Sequence, residues 1–351
     1  MDKRNILSLG IILLLAASCN PFAKSTSYGV VKTVNGGADW QFTNAILNEK
    51  NLNLNKAEVS KLALDPSNRE IVYAGTFTDG LYKSEDSGAT WVSKLSKIAV
   101  YDFLVSPVDS NVLYVAGTFG DRGRLLYTKD GGSTWQDIFT EESSGNPVTA
   151  VAINPEAPTQ LIIGLKSGGI IKSNDSGISW RLLSEFSDEI LQLSWQNGAI
   201  YVMLKDKGLY KSSTLGETFV NLTESLLPQN YTQRFFSSEA TPTFSRFYVD
   251  TASPSQIYIT STQKIYKTID EGKKWGQVSL PGDEITVRVR PIAVAKTSSN
   301  TVYTAAGGTV FKSTNAGGTW QTQGIATGGI INYILIDPLL PQIAYAGIDI
   351  P

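Results

Sequence analysis

The chain has 351 residues with one cysteine and no histidine; 42% are apolar, 18% are charged, and the formal net charge is -2 at pH 7. Without histidine there is no Ser-His-Asp or Cys-His catalytic unit, no HExxH zinc helix and no imidazole pH switch. One cysteine builds neither an internal disulfide nor a CxxC pair nor a cysteine-ligated zinc site, while the composition argues for a globular chain and against nucleic acid as partner.

The chain starts MDKRNILSLGIILLLAASCN. Lys3 and Arg4 precede an apolar run, Ile6 to Ala17, of about 12 residues, short of the roughly 20 that span a bilayer as a helix, so a removable signal segment is expected. Ala16, Ala17 and Ser18 directly before Cys19 resemble the bacterial lipoprotein cleavage box, which implies a lipidated Cys19 as the mature N-terminus. The alternative is an ordinary signal peptide with an incidental cysteine. Asn20 follows rather than Asp, so the inner-membrane retention signal of some diderm lipoproteins is absent. The expected organisation is a signal peptide at 1–18, a polar tether at 19–28 and one domain at 29–351. The protein is then exported and membrane-anchored, on the periplasmic face or at the cell surface.

From residue 29 a repeat governs the chain. Strand-like runs GVVK (29–32), GLYK (80–83), RLLY (124–127), GIIK (169–172), GLYK (208–211), KIYK (264–267) and TVFK (309–312) each lead into a box of the form S/T-x-D/N-x-G-x-x-W. The boxes carry Asn35, Gly37 and Trp40; Asp86, Gly88 and Trp91; Asp130, Gly132 and Trp135; Asp175, Gly177 and Trp180; Gly216 and Phe219; Asp270, Gly272 and Trp275; and Asn315, Gly317 and Trp320. The acidic or amide side chain suits bonding to turn amides, glycine gives the reversal its backbone freedom, and the tryptophan is expected to bury its ring under the turn. The KIYK-type runs read as edge-compatible strands with a polar end.

A second half-repeat precedes each later run: an apolar stretch, a turn, then an apolar stretch, as in LALDPSNREIVYAG (62–75) and ILIDPLLPQIAYAG (334–347). The offset from turn residue to anchor is constant in the pairs Asp65 and Tyr73, Ser106 and Tyr114, Asn154 and Ile162, Asp250 and Tyr258, Ala295 and Tyr303, and Asp337 and Tyr345; the copy around Trp195 and Tyr201 is shorter. The mean period is about 47 residues, within the range of propeller blades. The first run and box lack a preceding half and the last half-repeat lacks a following one. Together they complete one blade and remove exposed sheet edges. The expected fold is all-β, a single seven-bladed propeller whose last blade joins both chain ends.

These boxes resemble the Asp-box (BNR) repeats of sialidases, sortilin-type receptors, xyloglucanase-type glycosidases and the photosystem II assembly factor family. The resemblance implies that the boxes are structural and face away from the usual binding site. It does not fix a function, because one scaffold carries unrelated sites.

Candidate partner-binding residues come from long or unusual segments on the other face. Phe119, Arg122 and Arg124 lie in GTFGDRGR (117–124); Tyr231, Arg234, Phe235 and Phe236 lie in the longest insertion, 221–246; Arg288 and Arg290 lie two apart in TVRVRP (286–291). Aromatic and arginine side chains are common interface anchors and bind acidic groups; covering of the loop itself or simple solvation are the alternatives. The connection at 44–56 reads as a polar surface loop or a short helix.

A sialidase would need an arginine triad and an F/Y-R-I-P segment, which is absent, although Arg122, Arg246, Arg288 and Arg290 could converge. A xyloglucanase-type enzyme would need paired carboxylates across two propellers; Asp79, Asp102, Asp121, Glu141 and Glu142 are candidates with nothing to pair them. The photosystem assembly factors match in scale: one exported propeller that holds a client. The expectation is a monomeric, noncatalytic propeller, without cofactor or metal, that binds a protein or glycan partner; glycoside hydrolysis and a purely structural role are the alternatives.

Overall fold

The computed structural model describes residues 27–47, 53–227, 242–262, 264–282 and 289–350; Cys19 lies outside them. Seven antiparallel sheets follow one another, each with four strands except the first, which has a fifth. The innermost strands are Val59–Leu64, Ala99–Val105, Val148–Ile153, Ile190–Gln196, Phe244–Val249, Val289–Ala295 and Ile330–Ile336; they head blades 1 to 7. In blade 7 the innermost strand is followed by Ala344–Asp349, then Gly29–Thr33 and Gln41–Phe42 from the other chain end, with Val31 opposite Ala346. This is the closed seven-bladed propeller expected from the complementary ends.

Burial follows from the stacking of sheets. Second strands such as Val72–Thr76, Leu161–Leu165 and Ile257–Ser261 are buried at every residue because each has a neighbouring blade on both faces, which explains their unbroken apolar runs. Among the described residues the apolar side chains form clusters that each join neighbouring blades, for example Tyr73, Val100 and Phe103 between blades 1 and 2, and Val30, Val59 and Tyr345 between blades 7 and 1. Outer strands such as Arg181–Glu185 are largely exposed.

The boxes join third and fourth strands, on the same face as the turns between first and second strands. In the Asp175 box, Ser173 Oγ donates to Asp175 Oδ1 (2.7 Å) and accepts from Gly177 N (2.8 Å), while Asp175 accepts from Ser179 N and Oγ. Asn35 and Asn315 fill the same place in their boxes, accepting from Asp39 N and Thr319 N. Gly88 has φ 86°, and a Cβ there would lie 3.0 Å from the Tyr345 ring; glycine therefore serves the close approach of the preceding blade as well as the turn.

Two features differ from the sequence expectation. The GLYK-type strands are not edges but third strands, paired on both sides. Some of their lysines reach the box of the next blade: Lys32 Nζ and Tyr345 Oη of blade 7 both donate to Ser87 O of blade 1 (2.8 and 3.0 Å), Lys267 and Tyr258 of blade 5 do the same to Ala316 O of blade 6, and Lys312 Nζ donates to Gly36 O; Lys83 and Lys211 pair instead with Glu85 and Glu271. Burial lowers the pKa of Lys32, Lys267 and Lys312 and pushes the Tyr303 and Tyr345 phenols up to about 12. The tryptophans, in turn, are not all buried under their turns. Trp91 is fully buried, whereas Trp135, Trp180 and Trp275 are half-buried; their indole N–H groups reach back to the preceding blade, at Thr43 O, Lys94 O, Ile138 O and Leu222 O respectively.

The connection at 44–56 is likewise more than a polar loop. Ala45–Ile46 runs parallel to Thr90–Trp91 as the fifth strand of blade 1, Leu54–Lys56 is a 3-10 turn, and buried Asn44 accepts from Val30 N and donates to Tyr28 O. The amide side chain satisfies backbone groups that open the first strand.

Trp91→Ala should cost about 3–5 kcal/mol, as for a fully buried aromatic, and Trp135→Ala clearly less, read by denaturant unfolding; equal losses would contradict the difference in burial. Deleting 343–351 should lower the melting temperature by removing the partner of Gly29–Thr33. The hydroxyl and amide donors around Asp175 hold its carboxyl at about 2, and Asp130 is likewise held well below the usual range. A depressed carboxyl stabilises the fold above its unfolded value and loses that contribution as pH falls through the folded one. Asp130→Asn with Asp175→Asn should therefore melt below wild type at pH 7 and narrow that gap, with a flatter loss of stability, as pH falls from about 4 to about 2.

Candidate functional site

Each innermost strand carries, at its first or second residue onward, the same four-residue frame, an apolar residue, two variable residues and an apolar residue: Val59-Ser60-Lys61-Leu62, Val100-Tyr101-Asp102-Phe103, Val148-Thr149-Ala150-Val151, Ile190-Leu191-Gln192-Leu193, Phe244-Ser245-Arg246-Phe247, Val289-Arg290-Pro291-Ile292 and Ile331-Asn332-Tyr333-Ile334. The register against the second strand shifts within every frame, leaving an extra residue such as Ser60, Tyr101 or Asn332 unpaired. A bulge re-aims side chains, and here it repeats around the axis. The third frame position becomes a ring of seven: Lys61, Asp102, Ala150, Gln192, Arg246, Pro291 and Tyr333.

Much of this ring ties blades together. Lys61 Nζ contacts Asp102 Oδ1 at 2.5 Å, and Asp102 also accepts from Phe103 N and Val151 N, spanning blades 1 to 3. Burial by itself would depress the Lys61 pKa, but the Asp102 carboxylate reverses this and leaves it raised. Gln192 makes both side-chain bonds to the backbone of Phe247, and Asn332 donates to Val59 O. With both oxygens held by donors, Asp102 is engaged as an ion-pair acceptor rather than free for acid catalysis.

Arg246 is different. Its guanidinium stands 5.5 Å from the Tyr333 ring and bonds Ser60 O at 3.4 Å across the axis, and among the described residues no carboxylate pairs with it. Three cavities, of about 340, 130 and 850 Å3, follow one another along the axis; Arg246 lines the first two, and Lys61 and Tyr333 the last two. The first opens on the face away from the boxes. Its wall holds Phe77 and Tyr101, edge to face at 5.5 Å, and its rim holds Glu189 and Lys205, 3.3 Å apart. Burial, with Glu189 nearby, raises the Tyr101 phenol. The arrangement offers one unpaired cation beneath an aromatic wall, suited to a carboxylate or other acidic group.

Among the sequence candidates, Phe119, Arg122 and Arg124 sit together on a hairpin of blade 2 and do not line this mouth. Arg124 lies 5.1 Å from the Phe119 ring and bonds Asp137 at 2.6 Å; Arg122 is exposed. Arg290 occupies the bulge position of blade 6, equivalent to Tyr101 and Asn332. Tyr231, Arg234, Phe235, Phe236 and Arg288 lie outside the described residues. Of the candidate carboxylates for hydrolysis, Asp121 accepts from Ser144, and Asp79 stands near Glu58, whose pKa is raised by burial and then by Asp349 and Asp79. The axial ring was missed as a set, although the apolar frame around it is visible in the sequence. Among the described residues no group of three or more acidic side chains is placed to hold a metal ion.

No family model matches the chain. It is similar to the xyloglucanase Xgh74A of Acetivibrio thermocellus, 26% identical over 237 residues, which cover 62% of this chain and 25% of that protein. Among solved structures it resembles the GH74 xyloglucanase of Xanthomonas campestris (TM-score 0.65, 16% identity, 83% of this chain and 51% of that chain). It also resembles YCF48 bound to a D1 peptide (TM-score 0.60, 17% identity, 83% of this chain and 93% of that chain). The chain thus spans about a quarter of the curated xyloglucanase and half of the crystallised one, but nearly all of YCF48. These likenesses show a propeller fold shared with xyloglucanases and YCF48.

Proposed function

We propose that the protein is a noncatalytic, lipid-anchored, extracytoplasmic propeller that binds an acidic segment of a protein partner at the axial mouth. The observation that carries this reading is Arg246: a cation without a carboxylate partner among the described residues, facing an open cavity beside Phe77 and Tyr101. YCF48, which this chain matches over nearly its whole length, binds a peptide, in keeping with a single propeller used as a binding module. Anchoring by Cys19 would suit this face. Ser27 O accepts from Thr327 Oγ1 and Tyr28 N donates to Asn55 O, at the mouth end of Gly29–Thr33. The segment from Cys19 to Ser27 spans at most about 30 Å, so a lipidated Cys19 would hold the mouth close to the membrane.

The similarity to xyloglucanases, with Glu189 and two aromatic rings in the same cavity, favours a second reading as a glycoside hydrolase. The two separate in one experiment: capture of partners from detergent-solubilised native membranes by the wild type and Arg246→Ala, beside xyloglucan hydrolysis by both. The proposal expects a protein captured at least about tenfold more weakly by the variant, as for loss of a charged hydrogen bond, an unchanged melting temperature and no sugar release. Undiminished capture by the variant, or sugar release lost with Glu189→Gln, would overturn it.

A further inference from the structure

The outer strand of blade 2, Gln136–Ser144, is nine residues long, whereas the outer strands of blades 3 to 6 have two to five. It ends its sheet, and among the described residues no further strand pairs with its outer side. Toward the boxes this edge is stopped by Trp180, whose indole donates to Ile138 O and whose ring meets Phe139 at 5.6 Å. Beyond Phe139 the strand bulges against its inner neighbour between Thr140 and Ser144, and Ser143 N donates to Glu141 Oε1 at 3.3 Å.

Blade 1 shows what such an edge accepts. Its outer strand already carries Ala45–Ile46 as a fifth strand, Leu47 N donates to Trp91 O at 2.9 Å, and Ile46 packs into the cluster between blades 7 and 1. The edge of blade 2 differs in place: at its end away from the boxes, and toward the following blade 3, it borders an empty space of about 510 Å3 between Glu141 and Ser143 on one side and Leu165, Ile171 and Leu182 on the other. Leu182 is 57% exposed. We propose that this edge is a second interaction surface, which takes an extended, lysine- or arginine-bearing segment of a partner protein as the fifth strand of blade 2.

Strand addition gives affinity through main-chain bonds and specificity through alternate side chains. Here alternate side chains of the added strand enter the cleft, apolar ones meeting Leu182 and Ile171. The charge selects a basic strand: Glu141 and Glu185 line the cleft and Glu142 lies beside it, none in an ion pair among the described residues, against one lining cation, Lys166. Like charges on an edge discourage pairing, so the same glutamates reject acidic strands. This surface is separate from the axial mouth, and its proposal stands whether or not Arg246 binds a partner.

The test uses fluorescein-labelled nine-residue peptides alternating valine with lysine, with glutamate-for-lysine counterparts, titrated into the protein, and amide exchange of 139–144 followed by mass spectrometry. Saturable binding is expected for the lysine peptides, with at least tenfold slower exchange of those amides. It should weaken at least tenfold in Glu141→Lys with Glu185→Lys, at an unchanged melting temperature, and persist in Arg246→Ala. Failure to bind, binding without slowed exchange, or equal binding of the glutamate peptides overturns the proposal. Self-association that protects the same amides without peptide also overturns it, by assigning the edge to a second copy.

Discussion

The fold depends on how each blade holds the next at the box face. The residue before each box glycine takes a positive φ, as at Ser87 (59°), Glu271 (57°) and Ala316 (57°), and in blades 1 and 6 this turns a carbonyl toward the preceding blade. There a lysine of the third strand and a tyrosine of the second converge on it: Lys32 and Tyr345 on Ser87, Lys267 and Tyr258 on Ala316. In the opposite direction, box indoles donate to carbonyls in or just past the outer strand of the preceding blade. A partly buried ammonium without an ion-pair partner is costly, and here the carbonyls and the tyrosine rings beneath Lys32 and Lys267 offset that cost. The joint between blades 7 and 1, made by Lys32 from one chain end and Tyr345 from the other, uses the same device and closes the ring.

With one face committed to holding blades together, the other is free to vary. The repeated bulge in the innermost strands aims one side chain per blade toward the axis. Because the main chain is satisfied by the sheet, the identity of that side chain is open to chemistry. Lys61, Asp102 and Gln192 tie neighbouring blades; Arg246, reaching across the axis to Ser60 O and standing over Tyr333, leaves its charge facing the mouth. Equivalent positions of different blades thus differ in whether a partner among the described residues already neutralises the charge.

The blade number, the closure and the face carrying the boxes were legible in the sequence because glycine, tryptophan and the spacing recur in register, and complementary ends have few other solutions. The axial ring was harder to see: its variable position runs through Lys, Asp, Ala, Gln, Arg, Pro and Tyr, so nothing repeats except the apolar frame. The lysines that end the GVVK, KIYK and TVFK runs looked like polar strand ends because sequence does not show that a carbonyl of the next blade awaits them. Asn44 looked like surface polarity for the same reason, its partners being the backbone at Tyr28 and Val30. Phe119, Arg122 and Arg124 attracted attention as a cluster of interface-type residues, yet Arg124 is occupied by Asp137 and the hairpin stands apart from the mouth.

The central claim is that the axial mouth meets the partner while the box face serves the scaffold. Site-specific photo-crosslinking in cells tests it most directly, with the photoreactive residue placed at Tyr101 on the mouth or at Thr134 on a box. The account predicts a discrete crosslinked protein from Tyr101, absent when Arg246 is replaced by alanine, and none from Thr134. A crosslink from Thr134 alone, or one from Tyr101 that is indifferent to Arg246, would contradict it.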